Sequence, residues 1–210
     1  MRPRHYSYTP EAAATNSISL SQAVVGAAAL TQTGTYGVNG FPSELAWNIT
    51  ITSSANISAV NLTIVYLDAQ LNQQSVVVAG PNATTKDAGI YATKIISVTT
   101  SASASNILIG HTNVGFAPWK VIPSRGVSST TGASIGIDGT ANITLQTTFA
   151  NIADNAIFAG TFDVFSHSYL AALTASAFDT VDTREIGVRL KFNSWSSGNV
   201  RLDLSVSAKG

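Results

Sequence analysis

Trp47-Asn48-Ile49-Thr50-Ile51-Thr52 is the segment from which we predict the fold class of this chain. Apolar and polar residues alternate along it, which is the pattern of a β-strand with one face in a core and the other face in water. Alternating segments separated by turn residues continue from Ala46 to Gly110. Further strands are predicted at Val60–Leu67, Ser75–Ala79, Ile95–Val98 and Asn106–Ile109.

Turn residues between these segments predict how the strands pair. Asp68–Asn72 favours a hairpin between the second and third strands, and Ser101–Ser105 favours a hairpin between the last two. Short antiparallel strands at this spacing are typical of a β-sandwich.

A similar pattern begins again after Ser128, so the two halves of the chain are interpreted as related folds. Asn142–Leu145 resembles Asn61–Ile64, and the intervening segment contains Pro118, Pro123 and Gly126. We predict an all-β protein of two tandem antiparallel β-sandwich domains, Ig-like or jelly-roll-like, with an extended N-terminal arm. The predicted boundaries are 1–30 for the arm, 31–112 and 128–210 for the two domains, and 113–127 for the linker. Residues 15–36 fit either a strand or two helical turns.

The C-terminal segment predicts a last hairpin with a turn at Ser194–Gly198. Residues of its inward face alternate with charged residues that we expect to point outward. The inward set is Val188, Leu190, Phe192, Val200, Leu202, Leu204 and Val206, and the outward set is Arg189, Lys191, Arg201 and Asp203.

Composition limits the classes of function. Charged residues make up 10% of the 210-residue chain, against roughly a quarter in ordinary soluble domains. The formal net charge is +0, and no Lys or Arg lies between His5 and Thr85, so a nucleic-acid partner is not expected. The chain has no cysteine, and no apolar run reaches the roughly 18 residues that span a bilayer, so we expect no thiolate metal site and no membrane insertion. A surface with so few charges suits a subunit that packs against neighbours.

Four segments, in this order, resemble a recurrent module of tailed-bacteriophage structural proteins. They are Asn48–Ser53, Asn56–Ile64, Ala79–Thr85 and Ile95–Val98, and Arg184–Ser207 adds a weaker likeness to the C-terminal half of the same proteins. The hairpin after the second strand departs from the module, since Asp68-Ala69-Gln70-Leu71-Asn72 lacks its usual glycine.

The resemblance implies a virion component assembled in the host cytoplasm. Its expected role is a capsid decoration or cement subunit that bridges neighbouring subunits, and the runner-up is a neck or tail component. The expected partners are the major capsid protein or neck and tail proteins, together with further copies of the chain.

The N-terminal arm is the first candidate for partner contact, because it has few large apolar residues before Ile18 to hold it against its own domain. Deleting Met1–Ala14 is therefore expected to leave the domains folded. The full set of candidate contact residues is Arg2, Arg4, Tyr6, Tyr8, Trp119, Arg189, Lys191 and Arg201.

Two other classes of function remain as alternatives. A host-surface adhesin would bind glycans through Trp119, Trp195 and Tyr169. A hydrolase would use Asp163 and His167, but no serine lies on a glycine-flanked elbow, so we predict a protein that is not an enzyme and needs no cofactor. The acidic group Asp179, Asp182 and Glu185 matches no calcium loop.

Overall fold

The structure is a computed structural model, and it describes residues 3–122, 129–150, 152, 164–181 and 185–208. These residues contain no helix, and their strands form two antiparallel sheets, one of ten strands and one of three. In chain order the strands are β1 (Arg4–Tyr8), β2 (Ala14–Val24), β3 (Ala46–Thr52), β4 (Asn61–Leu67), β5 (Gln73–Ala79), β6 (Thr85–Ala92), β7 (Lys94–Thr100), β8 (Ala104–Phe116), β9 (Lys120–Val121), β10 (Ser129–Thr148), β11 (Val164–Ser166), β12 (Ala177–Val181) and β13 (Gly187–Ala208). The all-β prediction is confirmed. The structure does not confirm a tandem pair of sandwiches.

The chain divides into two compact units. The continuous unit is Glu11–Asn113, and the split unit combines Met1–Pro10 with Val114–Gly210. This division assigns the residues of the predicted arm to both units, since β1 belongs to the split unit and β2 to the continuous unit. The segment 15–36, left open between strand and helix, contains most of β2.

The continuous unit contains a small sheet of order β5-β4-β7 and the strand series β8-β3-β6, with β2 paired to β8. The β4–β5 hairpin is confirmed, with Leu67 opposite Gln73 across the predicted turn. The predicted β7–β8 hairpin is wrong, because β7 pairs with β4 whereas β8 pairs with β2 and β3. The segment between β7 and β8 therefore crosses from one sheet to the other.

Strand β3 differs from its prediction in its burial. Every residue from Ala46 to Ile51 is buried, including the polar Asn48 and Thr50. The alternation correctly indicated a strand, but the face expected in water is covered as well.

Strand β6 was not predicted from the sequence. It carries Lys86 and Asp87, and Gly89 has a φ of +71°, a backbone conformation that residues with a Cβ rarely adopt. A register irregularity lies between Asn48 and Thr50 where β3 pairs with it. Local charge and the bulge hide the alternation that a regular strand would show.

The split unit is built on β10 and β13, which pair antiparallel from Ser129 opposite Ala208 to Thr148 opposite Gly187. The predicted last hairpin is wrong, because β13 runs through the expected turn as one strand of 22 residues. Gly198 lies opposite Gly139, both have positive φ, and the two backbones approach so closely that a Cβ on Gly198 would overlap the Asp138 carbonyl. The Ser and Gly residues that suggested a turn instead allow this close approach beside a bulge at Thr140/Ala141.

The predicted inward face of β13 is confirmed wherever its side chains are described. These buried residues are Val188, Leu190, Phe192, Val200, Leu202 and Leu204, while the side chain of Val206 lies outside the described part of the chain. Arg189, predicted to face outward, is fully buried.

Candidate functional site

The N-terminal strand lies on its own chain. Strand β1 pairs antiparallel with β13, from Arg4 opposite Leu204 to Tyr8 opposite Val200. Tyr8 is buried and packs edge-on against Phe192, with ring centroids 6.4 Å apart. The prediction that this segment has too few large apolar residues to be held against its own domain is therefore wrong, because the Tyr8 ring enters the core of the split unit.

Exposed charge remains on the outer side of this strand pair. Arg4 and His5 are exposed, and His5 contacts the carboxylate of Asp203, which also accepts a hydrogen bond from Arg201 Nε at 3.0 Å. Tyr6 is half-buried beneath Lys120, whose Nζ lies 4.9 Å from the ring centroid. The structure thus groups Arg4, Tyr6 and Arg201 along β1 and β13. Arg2 lies outside the described residues.

Trp119 and Arg189 belong to the interior. The Arg189 guanidinium carbon lies 4.2 Å from the ring centroid of Phe116 and 4.5 Å from that of Trp119, and Arg189 Nε donates to Gln146 Oε1 at 2.8 Å. Strand alternation places Arg189 on the opposite side of β13 from Leu190, but aromatic rings cover that side too. These two predicted contact residues are therefore not exposed, whereas Lys191 is half-buried.

A cleft of about 410 Å³ in the split unit is lined by several titratable side chains. Its lining residues are Thr147, Phe165, Ser166, His167, Ser168, Tyr169, Asp179, Thr180 and Glu185. His167 Nε2 lies 2.9 Å from the Thr180 carbonyl oxygen, so this nitrogen is the donor and Nδ1 is the acceptor in the neutral ring. The other ring nitrogen, Nδ1, is buried and lies 4.0 Å from Asp179 Oδ2.

The cleft brings together residues that the sequence analysis had assigned to different hypotheses. His167 came from the hydrolase hypothesis, Asp179 and Glu185 from the acidic group, and Tyr169 from the glycan hypothesis. Asp163 and Asp182 lie outside the described residues, so the predicted Asp163–His167 pair has no structural description. No group of three or more His, Asp or Glu side chains in the described ranges is arranged to hold a metal ion.

The three aromatics of the glycan hypothesis have different environments. Tyr169 lines the cleft and is 78% exposed, whereas Trp119 is buried and Trp195 donates its indole N–H to the Gly198 carbonyl at 3.1 Å. Phe165 is a second exposed aromatic in the cleft, and its ring packs against Phe149 at 5.7 Å. Sequence spacing gave no indication of Phe165, because its partners come from other strands.

The continuous unit has a buried polar cluster around Glu11 that the sequence analysis missed. The Glu11 carboxylate accepts hydrogen bonds from Trp47 Nε1 at 2.7 Å, from the Ser43 amide at 2.8 Å and from the Ser43 hydroxyl at 2.6 Å. Beside it, His111 is 2% exposed and shares a 2.8 Å hydrogen bond between its Nδ1 and Ser17 Oγ.

Aromatic rings enclose His111. Its ring centroid lies 4.7 Å from that of Phe41 and 5.8 Å from those of Tyr36 and Trp47. Burial lowers the pKa of His111 to about 4, against a smaller opposing effect of hydrogen bonding to the Glu11 backbone. Burial and the Glu11 charge raise the pKa of Tyr36. This cluster ties the start of the continuous unit to β3 and β8, which is a structural role.

No protein-family model, curated protein or solved structure matches the chain. Within the described ranges no helix is long and apolar enough to cross a membrane.

Proposed function

We propose that the chain is a structural subunit of a tailed-bacteriophage particle, acting as a decoration or cement subunit on the head and assembling with further copies of itself. The observation that carries this proposal is the low charge of the chain, of which 10% of residues are charged, together with many exposed large apolar side chains. These exposed side chains are Leu20, Val25, Val38, Leu71, Val77, Ile96, Val121, Phe149, Phe165, Tyr169 and Phe178. The likeness of four segments to phage structural proteins supports the same class.

The proposed mechanism is surface complementarity without catalysis. Burying apolar area against neighbouring capsid subunits contributes roughly 25 cal/mol per Å² of area removed from water, and a stable contact buries about 800 Å² on each partner. A cement subunit that spans two capsid subunits adds this energy to the shell and opposes its expansion. A neck or tail position is the runner-up, with the same physical basis.

Labelled particles test the proposal. Tailed-phage particles carrying the chain with a gold-binding tag are expected to show label over the head in electron micrographs. Label at the neck or tail would favour the runner-up, and purified particles that lack the chain altogether would contradict the proposal.

Charge removal on β1 and β13 tests how the subunit docks. Arg4→Ser with Arg201→Ser is expected to lower occupancy on particles without changing the melting temperature, because both side chains are exposed. Lys94→Ser removes one charge from the other unit and serves as the control. Undiminished occupancy of the double variant would exclude this face as the contact.

A second candidate function is supported by the cleft of the split unit. An exposed tyrosine ring beside the partly exposed carboxylate of Asp179 is a combination that binds neutral sugars, since the ring stacks on the sugar face and the carboxylate accepts hydrogen bonds from the sugar hydroxyls. Tyr169→Ala is expected to abolish binding to neutral oligosaccharides on a glycan array. Phe178→Ala is the matched control, because Phe178 is 67% exposed and does not line the cleft. An array with no positive glycan would remove this candidate.

A further inference from the structure

Within the described part of the chain, the outer edge of β5 is open along most of its length. Strand β5 is the terminal strand of the small sheet and pairs with β4 in one uninterrupted register, from Gln73 opposite Leu67 to Ala79 opposite Asn61. Among the residues that the structure describes, β5 pairs with no other strand, and none of its seven residues is buried. A strand edge presents a row of backbone donors and acceptors that another strand can use.

The edge strands β7 and β6 of the same unit are protected against the addition of another strand. The segment Ala28–Leu30 covers β7 through hydrogen bonds from the Leu30 amide to Val98 O at 2.8 Å and from the Thr100 amide to Ala28 O at 2.9 Å. Strand β6 carries Lys86 and Asp87 and pairs irregularly with β3. Covering segments, charges and bulges are the devices by which proteins prevent strand addition.

In the ranges that the structure describes, no segment covers β5, and its pairing with β4 has no bulge. Its sequence, Gln73-Gln74-Ser75-Val76-Val77-Val78-Ala79, has no charge and no proline, and Val77 is 62% exposed. Lys86 Nζ donates to the Ala79 carbonyl at 2.9 Å, which closes only the C-terminal end. Uncharged, β-branched segments of this length are strong strand-pairing sequences.

We propose that this edge pairs antiparallel with β5 of a second copy of the chain, across a two-fold axis at Val76. This register gives the longest overlap of the seven residues and sets Ser75 of each copy opposite Val77 of the other. It opposes no charges, and it covers the exposed Val77 of both copies. A charged partner strand would find no complementary charge on β5, whereas the strand is complementary to itself, as an isologous two-fold contact requires. The inference stands on the edge itself and does not depend on the particle assignment.

Charge pairs on the solvent face of β5 test the proposal in the full-length chain. Wild type is expected to be a dimer at micromolar concentration in analytical ultracentrifugation. Ser75→Lys with Val77→Lys places like charges opposite each other twice and is expected to weaken dimerisation at least about 10-fold. Ser75→Lys with Val77→Glu places opposite charges there and is expected to restore the dimer. Val25→Lys with Val38→Lys is the control, since both valines are exposed and lie outside the strands.

Each outcome decides for or against self-pairing. A monomeric wild type, or a strand from a different protein as the occupant, overturns it. A double-lysine variant that dimerises like wild type also overturns the proposal. A Lys/Glu variant that dissociates as readily as the double-lysine variant overturns it as well.

Because the chain has no cysteine, single cysteines at 75, 76 and 77 locate the two-fold axis. Val76→Cys is expected to form the disulfide-linked dimer fastest. Val25→Cys is the control, which measures the rate of disulfide formation by random collision. Particle labelling is a separate measurement, so either proposal can fail alone.

Discussion

At the scale of single residues, Arg189 is a cation held in the interior of the split unit. It alternates with Val188 and Leu190 as expected, yet Phe116 and Trp119 cover its guanidinium on the other side of β13. Burying an arginine is tolerated when rings and acceptors replace its water, and here the rings and Gln146 do so.

His111 leads to a prediction about pH at the same scale. Burial holds its folded pKa at about 4, below the ordinary 6.5, so between these values the unfolded chain binds a proton that the folded chain does not. The contribution of His111 to the free energy of unfolding is therefore fully present above about pH 6.5. It is lost as the pH falls toward 4, by about 3 kcal/mol in total. Urea unfolding of wild type and His111→Gln at closely spaced pH values measures the difference in slope. Equal slopes for the two proteins between pH 5 and 6.5 would contradict the assignment.

At the scale of elements, β1 is a strand of the split unit and not a free arm. Its anchor is Tyr8, which is 4% exposed, whereas Tyr6 on the same strand is half-buried under Lys120. Five residue pairs with β13 satisfy the backbone of this segment and offset the entropy of ordering it.

The two tyrosines of β1 make a matched test. Tyr8→Ala removes a buried ring and is expected to cost about 3 kcal/mol of unfolding free energy, while Tyr6→Ala is expected to cost about 1 kcal/mol or less. Denaturant melts of the full chain measure both. Should Tyr8→Ala leave the melt unchanged, β1 is not docked on its own chain and is available to a neighbour, as the sequence alone suggested.

At the scale of the whole molecule, the continuous unit is an insertion in the split unit. Its two ends are neighbours, because Ala14 at the start of β2 pairs with His111 near the end of β8. Adjacent termini allow one domain to be inserted into another without disturbing the host, since the host chain leaves and returns at nearly the same place. The sequence predicted a linker at 113–127 from its prolines and glycine, whereas the two compact units divide after Pro10 and after Asn113.

The insertion predicts that residues Glu11–Asn113 fold alone. The fragment keeps the Glu11 and His111 cluster, the small sheet and the strand series β8-β3-β6 up to Asn113. A cooperative denaturant transition, dispersed amide resonances and the pH dependence assigned to His111 are expected. A fragment without a cooperative transition would show that the continuous unit depends on the rest of the chain.

Local sequence patterns are enough to predict that the chain is all-β, where most strands of the continuous unit lie, and which side of β13 faces the core. These properties are local, because alternation and turn residues act within a few positions of one another. Long-range contacts in the folded chain set the pairing of β7 with β4, the continuation of β13 through Gly198 beside β10, and the burial of Arg189, Glu11 and His111. Each of these depends on contacts between residues far apart in the chain, and no local pattern records which distant strand or ring will cover a given side chain.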